Sequence, residues 1–193
     1  MIQYRLATLA DLDAIGKLHM DCFPNSMWHF LGEELVSAFY REYIVEDNFF
    51  VVALDEGQII GLCMGYHIPS KARSNFMHKN RGKLIKRVLG GVITCNALVI
   101  KKIIAYLTPH KQYSYTQADG DLLSICVHPQ YRGSGVAQEL LIRFENLLKQ
   151  NNISEYILGA YSDNLRAITF YKQQGLKPVY ESNGGIYLAK KIK

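Results

Sequence analysis

Several common patterns are absent from this 193-residue sequence. Its four cysteines, at positions 22, 63, 95 and 126, contain no C-x-x-C pair. This scatter is typical of a reducing cytoplasm and favours neither a disulfide framework nor a zinc site. The six histidines form no metal-spaced group with carboxylates or cysteines, so no metal is expected. The first residues predict a strand that enters a helix and no secretory signal, so we expect a cytoplasmic protein.

Acidic residues are missing from one long window. No Asp or Glu lies between Glu56 and Asp119, whereas ten of the 22 basic residues lie there. The other 12 basic residues share the rest of the chain with all 17 acidic ones. We therefore expect one slightly acidic domain, residues 1–193, that carries a basic insert at about residues 67–117.

The insert has apolar residues at helical spacing, and Gly90-Gly91 predicts a break between two helices. Its longest uncharged run, Val88 to Ile100, has 13 residues and is too short to span a bilayer. We expect its apolar side to pack on the domain or on a second copy in a homodimer, with Lys and Arg facing water or an anionic substrate. Peripheral contact with an anionic membrane is an alternative. A nucleic-acid interface is disfavoured, because few aromatics are interleaved with the charges.

The predicted elements follow one another as strand, two helices, two or three strands, helix, strand, helix and two strands. The second helix is expected from about Phe30 to Val45, and a hairpin around Asp55-Glu56-Gly57. This order predicts an α/β (α+β) domain with a mixed sheet.

One stretch predicts a phosphate site. An apolar strand, Asp121 to Val127, is followed by the turn Arg132-Gly133-Ser134-Gly135 and by a helix that begins at Val136. The first turn of a helix has unpaired N–H groups and the positive end of the helix dipole, which together attract phosphate or pyrophosphate. The sequence has no Gly-Lys-Ser/Thr for a P-loop, and Gln138 stands where a dinucleotide fingerprint needs its third glycine.

A different cofactor signature fits this turn. The run from Val127 to Ala137, VHPQYRGSGVA, resembles the Q/R-x-x-G-x-G/A signature of the GNAT N-acetyltransferase superfamily, through Arg132, Gly135 and Ala137. The run NLRAITFYKQQGL, beginning at Asn164, resembles the second signature of the same superfamily, with Leu176 in place of Phe. The resemblance implies a central, mixed, mostly antiparallel and splayed sheet that is flanked by helices.

The resemblance also implies acetyl-CoA as co-substrate. Backbone amides of the turn and helix start would hold its pyrophosphate, and the strand end would hold pantetheine and polarise the thioester. Asn164 would bond pantetheine, although it could instead only cap a helix. Tyr171 matches the position that protonates the leaving thiolate. The implied cofactor-binding residues are Ile125, Cys126, Val127, Arg132, Gly133, Ser134, Gly135, Val136, Ala137, Asn164 and Tyr171.

The residue that accepts the proton of the amine is less defined by the sequence. Asp121 and Ser124 lie on the central strand, where members of the family often place an acid or a water-holding residue. Period-two alternation predicts Asp121, Leu123 and Ile125 on one face of this strand and Leu122 and Ser124 on the other. Cys126 as a covalent nucleophile is disfavoured, because the superfamily generally transfers the acetyl group directly.

The loop between the first two helices commonly borders the acceptor pocket in this superfamily, which implies substrate contacts for Phe23, Asn25 and Trp28. Together with the basic insert, it favours acetylation of a small-molecule primary amine, such as an amino sugar or a nucleotide-linked amino sugar. Two alternatives remain open: acetylation of a protein N-terminus or lysine, and a non-catalytic acyl-CoA-binding protein that docks on a membrane or partner through its insert.

Overall fold

A seven-stranded sheet organises the computed structural model, which describes residues 1–94, 97, 100, 118–182 and 184–192. Its strands lie in the order β1-β2-β3-β4-β5-β7-β6. Every neighbouring pair is antiparallel except β4 and β5, which are parallel. This confirms the mixed, mostly antiparallel sheet. The strands are β1 Gln3–Leu6, β2 Phe50–Asp55, β3 Gln58–His67, β4 Gly120–Val127, β5 Glu155–Tyr161, β6 Lys177–Ser182 and β7 Gly185–Lys191.

The sheet is splayed at its centre. Strands β4 and β5 pair only at their first residues, Gly120 with Tyr156 and Asp121 with Ile157. β4 nevertheless stays paired with β3 along its length, to Val127. The remainder of β4 therefore has no strand on its β5 side, and a gap opens in the middle of the sheet.

Helices cover both faces of the sheet. Four helices, α1 to α4, pack on one face around a core that includes Tyr40, Phe50 and Phe76. Two more, α5 and α6, pack on the other face around Leu140, Phe144 and Leu158. The helices are α1 Leu12–Cys22, α2 Met27–Leu31, α3 Glu33–Glu46, α4 Ala72–Ile93, α5 Val136–Gln150 and α6 Leu165–Gln173.

The predicted second helix, Phe30 to Val45, is two helices in the structure. Gly32 separates α2 from α3 with a φ of 93°, a backbone conformation outside the helical region that a glycine adopts without strain. Ser26 starts α2, because its side-chain oxygen accepts a hydrogen bond from the backbone N–H of His29 at 3.0 Å. The apolar spacing continued across Gly32 and concealed the break.

The predicted helix break at Gly90-Gly91 is wrong, since α4 continues through both glycines to Ile93. A glycine weakens a helix by about 1 kcal/mol but does not prevent helical φ and ψ. Thr94 is the C-cap of this helix, and its side-chain hydroxyl donates a hydrogen bond to the carbonyl of Gly90 at 2.9 Å. The rest of the insert, residues 95–117, lies outside the described residues apart from residues 97 and 100.

Two lysines of α4 form ion pairs with acidic residues of α3. Lys79 contacts both carboxylate oxygens of the buried Glu42, at 3.0 and 2.7 Å. Lys83 forms an ion pair with Glu34. Because both acids belong to α3, these charges attach α4 to α3. No helix in the described part of the chain is both long and apolar enough to cross a membrane.

Candidate active site

A cavity of about 1710 Å³ passes through the gap in the sheet. Its walls include Ser124 to Val127 of β4 and Gly159 to Tyr161 of β5. It reaches the turn before α5 and helix α6 on one side, and helices α1 to α4 on the other. A single small ligand usually fills roughly 300–1,000 Å³. The cavity can therefore hold two molecules that meet at β4.

The turn before α5 forms one end of the cavity. Gly133 and Gly135 both have a φ of 84°, and a Cβ added at either would meet no atom within 4 Å. The requirement for glycine here is thus conformational and not steric. The backbone N–H groups of Gly133, Gly135 and Ala137 donate to no backbone acceptor among the described residues. Arg132 extends beside them, and its Nε donates to the carbonyl oxygen of Val127 at 3.3 Å.

Helix α6 forms the wall next to this turn. Asn164 is its N-cap, and the side-chain oxygen of Asn164 accepts a hydrogen bond from the N–H of Ala167 at 3.2 Å. Tyr171 is 8% exposed, and burial is the main cause that raises the pKa of its hydroxyl. That hydroxyl has no hydrogen-bond partner within the described ranges. Both residues line the cavity, whereas Ser134 and Val136 of the neighbouring turn do not.

The predicted alternation along β4 is wrong. Met64 of β3 lies opposite Ser124, but the next residue, Gly65, lies opposite Leu122. Leu123 is therefore an extra residue, a β-bulge, and every side chain after it changes face. Ser124 thus joins Asp121 on the face covered by α1 to α4.

A row of three polar side chains leads from β4 into the helices on that face. The Tyr40 hydroxyl donates to Ser124 Oγ at 3.0 Å, and His19 Nδ1 lies 2.8 Å from the same hydroxyl. Burial is the main cause that lowers the pKa of His19 to about 4, so its imidazole is neutral at pH 7. His19 Nε2 is buried and has no hydrogen-bond partner in the described structure. All three residues line the cavity.

Asp121 lies behind a tyrosine. The hydroxyl of Tyr66 donates to Asp121 Oδ2 at 2.9 Å, and Tyr66, unlike Asp121, lines the cavity. Desolvation by burial raises the pKa of Asp121 to about 6, against the opposing effect of this hydrogen bond. Tyr66 therefore connects the carboxylate to the cavity.

Two cysteines meet where the cavity crosses the sheet. Cys22 and Cys126 are both free thiols, and interaction with Cys126 is the largest cause that lowers the pKa of Cys22. Burial is the main cause that raises the pKa of Cys126, so Cys126 stays a neutral thiol. This state does not favour Cys126 as a nucleophile. In the described part of the chain, no cluster of three or more His, Cys, Asp or Glu could hold a metal ion.

The far end of the cavity is aromatic. Trp28 packs on Phe39 with ring centroids 4.3 Å apart, and Phe23 packs on His19 at 4.7 Å. Trp28 and Phe23 line the cavity, whereas Asn25 is exposed and lies outside its lining.

The sequence did not single out His19, Tyr40 or Tyr66. Tyr40 and Ser124 are 84 residues apart in the chain, and Tyr66 and Asp121 are 55 apart. Each of these residues lies in an element with apolar periodicity and resembles an ordinary core residue there. Only the packing of α1, α3 and β3 against β4 brings them together.

Comparison with known proteins is consistent with this geometry. The Acetyltransferase (GNAT) family model matches residues 12–176. Among solved structures, the PaiA N-acetyltransferase of Thermoplasma acidophilum in complex with coenzyme A is 16% identical, with a TM-score of 0.60 over 100% of this chain and 99% of that one. YncA of Salmonella typhimurium, a putative acetyltransferase solved with acetyl-CoA, is 13% identical, with a TM-score of 0.58 over 100% and 94%. The ribosomal-protein-S18-alanine N-acetyltransferase of Escherichia coli is 13% identical, with a TM-score of 0.61 over 100% and 94%. No curated protein matches the sequence.

Proposed function

The chain belongs to the GNAT family of acetyltransferases, and from this membership we propose that it transfers the acetyl group of acetyl-CoA to a primary amine of a small molecule. One observation carries the proposal. A single cavity joins the glycine turn, the unpaired edge of β4 and the row that begins at Ser124. Such a passage allows a donor and an acceptor to meet at β4 without a covalent enzyme intermediate. We propose further that residues 1–193 form one domain.

The residues at the turn fit a diphosphate. The N–H groups of Gly133, Gly135 and Ala137 are free of backbone partners in the described structure, and they stand at the positive end of α5. The guanidinium of Arg132 adds positive charge. Ser134 and Val136 do not line the cavity, and the N–H of Ser134 donates to the carbonyl of Tyr131 at 3.4 Å. In our proposal, Val136 therefore contributes only its backbone N–H, and Ser134 shapes the turn.

The open edge of β4 would hold the pantetheine arm. From Leu122 on, β4 has no strand on its β5 side, so backbone groups of Ile125, Cys126 and Val127 are available there. Asn164 uses its side-chain oxygen as a helix cap but keeps its amide N–H₂ as a donor. Bound acetyl-CoA would supply the thioester, and a backbone N–H of β4 would polarise its carbonyl.

Tyr171 is the proposed acid for the leaving thiolate. Burial keeps its hydroxyl protonated, and the lack of a partner in the described structure leaves the proton available. The same burial would raise the pKa of a thiol that leaves beside it, so the transfer is not opposed by a large pKa difference.

Two polar groups at β4 could receive the proton of the amine. Neutralising an amine of pKa about 10.4 at pH 7 costs roughly 4.6 kcal/mol. Asp121 has a pKa of about 6 and is ionised at that pH, and it is reached through Tyr66. Ser124 faces the cavity directly and would hold the amine or a water molecule. We propose Asp121 as the final acceptor of the proton that the amine releases when it attacks the thioester, and Ser124 as the positioning residue.

The experiment is a thiol-release assay with acetyl-CoA and a panel of amines: amino sugars, nucleotide-linked amino sugars, alkylamines, polyamines, and peptides with a free N-terminus or lysine. Thiol release with a small amine supports the proposal. Release with peptides alone would reassign the acceptor to protein. Tight binding of acetyl-CoA with no release by any amine would favour a non-catalytic acyl-CoA-binding protein.

A further inference from the structure

The acceptor end of the cavity has a chemical character of its own. We infer that the acceptor is a primary amine on a bulky apolar or aromatic body, bound in its uncharged form. This inference rests on the proposed acetyl transfer and narrows its substrate class.

An aromatic wall supports this assignment. Trp28 lies 4.3 Å from Phe39 and 5.7 Å from Phe76, measured between ring centroids, and Phe39 and Phe76 are 5.4 Å apart edge-to-face. Phe39 and Phe76 are almost fully buried, whereas Trp28 is only half-buried. Trp28 thus keeps apolar surface open to the cavity while its neighbours hold it in place.

Helix α4 adds aliphatic surface to this wall. Met77, Leu84 and Val88 line the cavity on one side of the helix. Lys79 and Lys83 of the same helix are held by Glu42 and Glu34. The helix therefore presents these apolar side chains and the guanidinium of Arg73 to the cavity, and directs the two lysines to α3. The two paired lysines give no support to a phosphorylated amino sugar, which the basic insert had suggested.

The charges that remain also disfavour a cationic acceptor. No Asp or Glu lines the cavity in the described structure, and its charged lining residues are Arg73, Arg132 and Arg166. An ammonium group among these residues would lose water without gaining a carboxylate. The carboxylate of Asp121 on β4 is not part of the lining and accepts a hydrogen bond from Tyr66, which is. Polyamines would therefore bind poorly, and sugar hydroxyls would find few partners on this wall.

A series of n-alkylamines tests the inference, since propyl- to hexylamine have nearly equal basicity. Each methylene group that enters the apolar end should raise kcat/KM about fourfold. 2-Phenylethylamine should match or exceed hexylamine, and glucosamine and spermidine should fall below propylamine. A flat or falling alkyl series would overturn the inference.

Two leucines of α4 provide a matched pair of variants. Leu84 is half-buried and lines the cavity, whereas Leu89 is 55% exposed and does not. Leu84→Gln should raise KM for hexylamine about tenfold, with unchanged acetyl-CoA binding. Leu89→Gln should change neither. Equal effects of the two substitutions would contradict the assignment.

The tests separate failure of the inference from failure of the proposed function. If glucosamine or a peptide releases thiol and kcat/KM does not rise along the alkylamine series, the inference is wrong but the proposed acetyl transfer is supported. If no amine releases thiol, the inference is tested by amine binding instead. Trp28 is the only tryptophan in the chain, so its fluorescence reports on an amine that binds at this wall. Saturable quenching that tightens from propyl- to hexylamine would uphold the inference, and no quenching would overturn it. If the rate of thiol release instead rises from acetyl-CoA to hexanoyl-CoA, the apolar end of the cavity binds the acyl chain of the donor. That result would also overturn the inference.

Discussion

Replacement of Tyr171 by Phe separates catalysis from stability. The Tyr171 hydroxyl makes no hydrogen bond within the described structure, so its loss leaves no buried group unpaired there. The ring stays in the core formed with Ile168 and Leu176. The free energy of unfolding should therefore change by less than about 0.5 kcal/mol. Loss of a general acid, in contrast, should lower kcat by about 10²- to 10⁴-fold, or roughly 3–5 kcal/mol in the barrier.

The assay is thiol release at saturating acetyl-CoA, together with a urea melt and calorimetric binding of coenzyme A. The leaving thiol provides the sharpest readout. An acetyl thioester of a more acidic thiol needs less protonation, so the defect of Tyr171→Phe should shrink with that donor. Tyr187→Phe is the control, because it also removes a hydroxyl from the cavity lining but on β7. Wild-type kcat in Tyr171→Phe, or an equal defect with both donors, would refute the acid assignment.

Three further predictions concern other parts of the site. Asp121→Asn should raise the free energy of unfolding above pH 6. The pKa of Asp121 in the folded state is raised from 3.8 to about 6, so the wild type loses up to about 3 kcal/mol of stability as the pH rises from 4 to beyond 6. Urea melts at pH 4.5 and 8 check this, and parallel pH curves would contradict it. Tyr40→Phe should destabilise the fold by about 1–3 kcal/mol, because Ser124 and His19 both lose a hydrogen-bond partner, and it should also lower kcat. Unchanged urea melts and rates would show that the row of Ser124, Tyr40 and His19 is not part of the site. Gly135→Ala should destabilise the fold by about 1–2 kcal/mol because of the positive φ at this position, and should weaken acetyl-CoA binding measured by calorimetry. The control Gly82→Ala, inside α4, should instead stabilise the fold by about 1 kcal/mol. Equal effects of the two substitutions would argue against a conformational role for Gly135.

The strand–turn–helix stretch was predictable because its signals are local. The turn from Arg132 to Gly135 needs positive φ at two positions, and only glycine adopts such angles readily. Helix α5 begins at Val136 in the structure, as its apolar spacing predicts. The second motif places Tyr171 on α6 by the same local rules. Each of these features depends on residues only a few positions apart.

Features that depend on strand pairing were not predictable. The alternation along β4 failed because of Leu123, a bulge that exists only through the register of β4 against β3. The amino-acid sequence from Asp121 to Val127 contains no signal for that extra residue. As a result, the sequence placed Asp121 and Ser124 on opposite faces, whereas the structure places them on one.

By itself, the sequence determined the mixed α/β fold, the glycine turn and the family resemblance, because these follow from backbone preferences and periodicity over short stretches. Tertiary structure alone decided what lies around β4. It brought His19 and Tyr40 to Ser124 and Tyr66 to Asp121. It also turned Lys79 and Lys83 towards α3 and left an apolar wall at the acceptor end. The reason is physical: a side chain's partner across a packed interface depends on how distant elements dock, and one-dimensional patterns do not record that docking.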